Sequence, residues 1–208
     1  MSNSDSSALF YNDLALSLTE ARSLIEAGSS DRRRPAHTPV VATVDNEGVP
    51  SQRVMILRHV DWSSRTLRFH TDSRATKTGE ADDAPLSVLF YDPDAKVQIR
   101  LSGNGRIERN SALANAAWDN STLFARRCYM AEIAPGTPDN EPVSGLPTWI
   151  EGQQPTTEQI EPARANFALL VFQFDRLEWL YLANSGHRRA RWRWDESGQI
   201  SQGSWLVP

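Results

Sequence analysis

Between residues 40 and 107 the hydrophobic period is two, and the strand-like segments follow one another too closely for parallel pairing. Residues 40–44 (VVATV) read as a strand, Asp45-Asn46-Glu47-Gly48 as a turn, and residues 49–57 as its antiparallel partner. A parallel neighbour would need a crossover of roughly a dozen residues. At 66–71, Leu67 and Phe69 alternate with Arg68 and His70, giving another half-buried strand. Segments 86–91 and 97–107 add two more, the second carrying Gly103 and Gly105 as marks of a bend or bulge. Strand patterns return at 167–174, 177–182, 190–194 and 199–207. Helical spacing occurs at 9–27, where Leu14, Leu18, Ala21 and Ile25 form one face and Gly28 stands at the capping position. Short helices are expected at 75–81 and at 111–129, the latter broken near Asp119-Asn120. These helices do not alternate regularly with the strands. A doubly wound parallel sheet is therefore excluded. The expectation is a mainly β fold with flanking helices, an antiparallel barrel closed or nearly closed.

Composition narrows the class further. The 208 residues suit a single domain spanning 1–208, with a frayed Ser-rich stretch at 1–8. Residues 134–162 hold six prolines and three glycines and read as a long irregular loop, a length that usually signals function or mobility. The longest apolar run is 167–172, too short to cross a bilayer, and the N-terminus carries no basic start, so a cytoplasmic chain is expected. A lone cysteine, Cys128, excludes an internal disulfide framework and a multi-thiolate zinc site, and no metal is expected. The net charge of −4 argues against a general nucleic-acid or membrane binder. Arg32-Arg33-Arg34 is read as a solvated loop rather than a nucleic-acid patch. Only Lys77 and Lys96 are lysines among the 22 basic residues, and arginine's planar fork suits carboxylates and phosphates. No GxGxxG, HExxH, GxSxG or P-loop is present.

Candidate chemistry gathers in two strands. Arg53 and Arg58 differ by an odd number and lie on opposite faces of a regular strand, one reaching a ligand over the wall, the other from the strand end. His70, Thr71 and Arg74, with Lys77 opening a short helix, make a plausible phosphate cradle, although surface ion pairs explain the same residues. Gln98 offers both donor and acceptor to a ligand edge such as a flavin pyrimidine. Trp62, Trp192 and Trp194 are read as packing, His37 and His59 as surface loop residues, and Cys128 as an ordinary helix residue. His70 is the histidine beside the cradle.

These segments together resemble the pyridoxamine 5'-phosphate oxidase-like family of FMN-binding split barrels. The matching pieces are VATVDNEGVPSQRVMILR (41–58), LRFHTDSRATK (67–77), PLSVLFYD (85–92), VQIRLSGNGRIER (97–109) and the closing Trp205-Leu206-Val207-Pro208. The resemblance implies a six-stranded split β-barrel and a homodimer with FMN at the interface. It also implies an FMN-dependent oxidoreductase acting on a small molecule, the alternative being a flavin carrier or sensor without turnover. Carried over, Arg53 grips the FMN phosphate, Val54, Met55, Ile56 and Arg58 lie along the flavin, and His70 and Thr71 stand beside it. Lys77 binds phosphate with Arg74 as a helper, Gln98 meets the ring, and either Arg189 or Arg191 completes the site. The family's tryptophan position falls on Leu180, with Trp179 facing the other way. Substrate contacts are echoed by Arg58, Trp118, Ser121, Arg126 or Arg127, and Arg188. The oxidases' Arg-x-His pair is replaced by His187-Arg188-Arg189-Ala190.

Overall fold

The computed structural model describes residues 10–208, so the stretch expected to be frayed, 1–8, lies outside the described residues. Asp13 caps α1 (Leu14–Ser30), its side chain accepting from the Leu16 N–H at 2.9 Å. The expected face of Leu18, Ala21 and Ile25 is buried. Gly28 is not the cap. The helix runs through it to Asp31, whose N–H donates to the Ala27 carbonyl. A Cβ on Gly28 would stand 2.4 Å from the Ala36 carbonyl carbon, so the glycine is required for close packing of the turn at Pro35–His37. His37 is not free on the surface either, because its Nδ1 lies 2.8 Å from the Gly28 carbonyl oxygen.

Strands β1 (Val40–Val44) and β2 (Pro50–Val54) form the expected hairpin, turned by Gly48 at φ +84°. The single strand expected over 49–57 is two. After Val54 the chain leaves β1, the Met55 N–H bonds to the Pro39 carbonyl, and β3 (Leu57–Asp61) pairs with β4 (Thr66–Asp72) instead. His59 therefore belongs to a strand, not a loop. There follow α2 (Lys77–Ala81), β5 (Pro85–Asp92), β6 (Val97–Glu108), α3 (Ala112–Asp119) and α4 (Leu123–Arg126). The break between α3 and α4 falls where Asp119-Asn120 marked it. Within 134–162 there is no strand, and α5 (Thr157–Ile160) opens with a Thr156–Gln159 capping box. The chain ends in β7 (Phe167–Tyr181), β8 (Arg188–Trp194) and β9 (Ile200–Leu206).

The segments 167–174 and 177–182 are one strand. β7 runs for 15 residues, pairing with β4 in its first half and β8 in its second, with β6 along its other edge. The polar Asp175-Arg176 pair imitates a turn in sequence, yet the ladder to β6 resumes at Arg176 after a register shift at Ser102/Gly103. Gly103 is needed there, since a Cβ would lie 2.0 Å from the Gln173 carbonyl oxygen.

Sheet order β2-β1-β5-β6-β7-β4-β3 begins and ends on strands joined only by Met55 and Ile56. With β2 and β3 taken as one bent strand, the sheet closes into a six-stranded antiparallel barrel, and β8 and β9 extend it from the far half of β7. Leu67, Phe69, Ile99, Leu101, Phe172 and Trp179 fill the interior. A second core of Trp118, Tyr129, Ile160, Phe167, Leu169 and Val171 lies between the outer face of β7 and the helices. Burial on both faces is why residues 167–172 are continuously apolar. Trp192 and Trp194 are buried as packing, and Trp62 stands edge-on to Phe174 under the Arg22 guanidinium. Among the described residues, no helix is long and apolar enough to cross a membrane.

Candidate functional site

The site begins at the gap between β2 and β3. Arg53 is half-buried on β2 and is held by three side chains. Its guanidinium donates to Thr43 Oγ1, to Ser51 Oγ at 2.8 Å and to Glu80 at 3.2 Å. Thr43 in turn donates to Glu80. These contacts fix the arginine's direction before any ligand arrives.

Arg58 reaches the same cleft by an irregularity. Leu57 pairs with Phe69 and His59 with Arg68, so Arg58 is the extra residue of a bulge. Such bulges re-aim a side chain. The opposite-face expectation assumed a regular strand, and the strand is not regular. Arg53, Met55, Arg58, His70 and Lys77 line one cleft of about 260 Å³, with Val54 and Ile56 on its rim and Cys128 and Tyr129 opposite.

Lys77 opens α2 and faces Arg53 across this cleft. Among the described residues its ammonium has no hydrogen-bond or ion-pair partner. Burial and the adjacent Arg53 push its pKa down, against the opposing pull of Asp72 and Glu80. Thr71 is buried beside them. Arg74 does not join in, because its guanidinium turns back onto Asp72 at 2.8 Å. α2 has five residues, so the cradle rests on side chains rather than on a helix end. Cys128 lies, as expected, in a helical segment, the 3-10 helix Arg127–Met130, and burial pushes its thiol pKa up.

His70 packs edge-on to Phe167 at 5.0 Å. Burial, and secondarily Arg58, push its pKa down to about 4. It is neutral at pH 7. An unfolded chain binds a proton at His70 between pH about 6.5 and 4 that the folded chain refuses, so this contribution to stability is full above about 6.5 and lost below it. We expect the FMN-free protein to lose up to about 3 kcal/mol over this window, at 1.36 kcal/mol per pKa unit. Urea midpoints at pH 7 and 4.5 check it: His70→Phe should flatten the dependence, and an unchanged slope would refute the assignment.

A larger cleft of about 430 Å³ shares Arg58, His70 and Ala125 with the first. Arg68 and His59 are cross-strand partners and lie on its floor, with Asn120, Ser121 and Thr122 of the α3–α4 link at its edge. Sequence reading took Arg68 only as the solvent face of a strand and His59 as a loop residue. The signal was the alternation Arg68, His70 on one face, but what covers that face is decided by the helices. Trp118 is not in the cleft, being 3% exposed and packed on Phe167 in the second core. Arg126 folds over the Trp118 ring and donates to the Asp119 carbonyl, and Arg127 lies over Phe124 and donates to the Gln153 carbonyl. Arg188 is held by Asn12 and the carbonyls of Gly186 and His187. Of the expected substrate contacts, Arg58 and Ser121 line this cleft.

The remaining expected FMN residues are elsewhere. Gln98 pairs with Tyr91 and Leu180, while His70 neighbours Leu169, itself paired with Glu108. Gln98 and Glu108 are ten positions apart on β6, roughly 33 Å of extended strand at ~3.3 Å per residue. Near Gln98, Glu178 accepts from Arg100 and from Arg189 at 2.7 Å and lies 3.5 Å from Arg191. These charge-assisted contacts hold its carboxyl below the usual range against its own burial. Leu180 lies on this face, and Trp179 is fully buried on the other. Arg33 and Arg34 pair with Asp31 on the surface.

The oriented Arg53 and a Lys77 without a partner among the described residues share one cleft of a split antiparallel barrel, a donor pair suited to a phosphate-bearing ligand. Residues 19–109, a little under half of the chain, match the family model described as "Pyridoxamine 5'-phosphate oxidase, FMN-binding domain", so this segment carries an FMN-binding domain of that description. The chain is 26% identical to a pyridoxine/pyridoxamine 5'-phosphate oxidase of Chromohalobacter salexigens, over 88% of this chain and 84% of that protein. Its structure is similar to an FMN-binding protein of Nostoc punctiforme at TM-score 0.68 and 19% identity, covering 91% of this chain and 96% of that one. It is also similar to PhzG of Burkholderia lata at TM-score 0.66 and 19% identity, covering 96% of each chain. The residues present fit the cofactor. A phosphate in this cleft would accept from Arg53 and would supply the acceptor that Lys77 lacks among the described residues.

Proposed function

We propose that the protein is an FMN-dependent oxidoreductase acting on a small molecule, and that it works as a homodimer. The observation that carries the cofactor site is the half-buried Lys77 ammonium, without a partner among the described residues, beside an Arg53 already oriented by Thr43, Ser51 and Glu80. Arg53 and Lys77 hold the phosphate, and Met55, Arg58 and neutral His70 flank the remainder of the molecule. Bound FMN supplies the two-electron acceptor. Gln98 with Arg189 or Arg191 suits the pyrimidine end, where cations stabilise negative charge.

Those residues and His70, on the wall of the Arg53 cleft, are separated on one chain by ten positions of β6, more strand than a mononucleotide spans. Two copies related by a two-fold axis bring the Gln98 end of one to the Arg53 end of the other. The exposed Val44, Val54, Ile56 and Tyr91 are apolar surface that such a partner covers.

Visible absorbance of the purified protein tests the cofactor, and sedimentation tests the assembly. We expect a yellow dimer. A monomer that holds FMN tightly would overturn the shared site, and a colourless protein with no affinity for added FMN would overturn the cofactor assignment. Peroxide release from candidate substrates separates an oxidase from a carrier without turnover.

A further inference from the structure

We propose that the 430 Å³ cleft is the substrate pocket and that Arg68, together with Arg58, grips an anionic oxygen group, carboxylate or phosphate, on a small ring substrate. This rests on the reading of the neighbouring cleft as the FMN site, because the two share Arg58, His70 and Ala125.

Charge is the first argument. The lining of this cleft includes Arg58 and Arg68 and no carboxylate. Among the described residues neither guanidinium makes an ion pair or a hydrogen bond, and the Arg68 Nε is shut from solvent without an acceptor. The half-buried Arg68, beside the more exposed Arg58, is a cation without compensation among the described residues and is poised for an anion, and a guanidinium fork matches two oxygens at once. The histidines beside them do not compete. His70 is neutral at pH 7, and burial and Arg68 push the His59 pKa down as well.

Shape is the second. The opposite wall is apolar, formed by Leu113, Ala116 and Ala117 of α3 with Leu169 of β7. Asn120, Ser121 and Thr122 give polar atoms at one edge. A charged floor, a flat wall of small side chains and a hydrogen-bonding rim suit a planar ring bearing one anion. The volume suits one or two rings.

Location is the third. Arg68 lines the larger cleft and not the smaller, so its charge faces the substrate side rather than the FMN phosphate held by Arg53 and Lys77. That separation makes the proposal testable apart from cofactor binding.

Benzoate, phenyl phosphate and uncharged benzyl alcohol are titrated into the FMN-loaded protein, read by perturbation of the flavin spectrum. At least one anion is expected to bind about tenfold or more tightly than benzyl alcohol, and which one identifies the group. Arg68→Met keeps the apolar stem and should remove that preference, Arg68→Lys should recover part of it, and FMN affinity should not change in either. The proposal is overturned if no anion binds better than the alcohol, or if Arg68→Met binds the anion as wild type does. Should the protein hold no FMN, the functional reading above falls. The same titrations followed by calorimetry on the FMN-free protein still decide the role of Arg68.

Discussion

Arg53→Ala should weaken FMN binding by about ten- to a hundred-fold with the barrel intact. The wild-type guanidinium is oriented by Thr43, Ser51 and Glu80, so it meets a phosphate with little loss of side-chain freedom. A hydrogen bond to a charged group contributes roughly 1.5–3 kcal/mol, and about 1.4 kcal/mol is a tenfold change in affinity. Truncation also removes the cation 3.2 Å from the Glu80 carboxylate, leaving that charge, held by Thr43 alone among the described residues, to repel the phosphate. Arg53→Ala with Glu80→Gln should therefore bind FMN better than Arg53→Ala alone. Fluorescence titration of the FMN-free protein measures both, with the urea midpoint as the control for folding. Equal FMN affinities for wild type and Arg53→Ala would remove Arg53 from the site.

Pyridoxamine 5'-phosphate should be a poor substrate, with kcat/KM below ~10⁴ M⁻¹s⁻¹, the low end for ordinary enzymes. Arg126 and Arg127, placed in sequence to meet that substrate, are spent on the Asp119 and Gln153 carbonyls, and Trp118 is inside the second core. His187-Arg188-Arg189-Ala190 stands where the oxidases have Arg-x-His, and Arg188 is held by Asn12. A missing contact to a buried charged group costs several kcal/mol, so specificity for this substrate falls by about two decades or more. Steady-state peroxide release with pyridoxamine 5'-phosphate is the measurement. A value at or above that threshold would mean that another arrangement of residues serves the vitamin.

The strands were legible because a half-buried strand must alternate, and β1, β4, β5 and β6 do so between clear turn residues. Two readings failed where a local pattern imitates something else. Asp175-Arg176 looks like a turn but continues β7, because β6 offers a partner to the strand through a bulge. Residues 49–57 look like one strand, but β1 pairs with Pro50–Val54 only, and from Leu57 the chain pairs with β4. Gly28 resembled a cap and serves close packing against Ala36. In each case a non-local contact overrode the local signal.

The antiparallel barrel was legible from period and spacing along the chain, whereas Arg53 and Lys77 stood out there only as candidate cations, and their pairing on a phosphate came from the family resemblance. Only the tertiary structure decided that a bulge aims Arg58 into the cleft of Arg53, and that α3 and α4 roof Arg68 while turning Trp118, Arg126 and Arg127 away. It alone separated Gln98, Arg189 and Arg191 from that cleft by the length of β6. The physical reason is that periodicity reports which face a side chain occupies, whereas a site depends on what lies across from that face. That is set by strand order, bulges and helix packing among residues far apart in the chain.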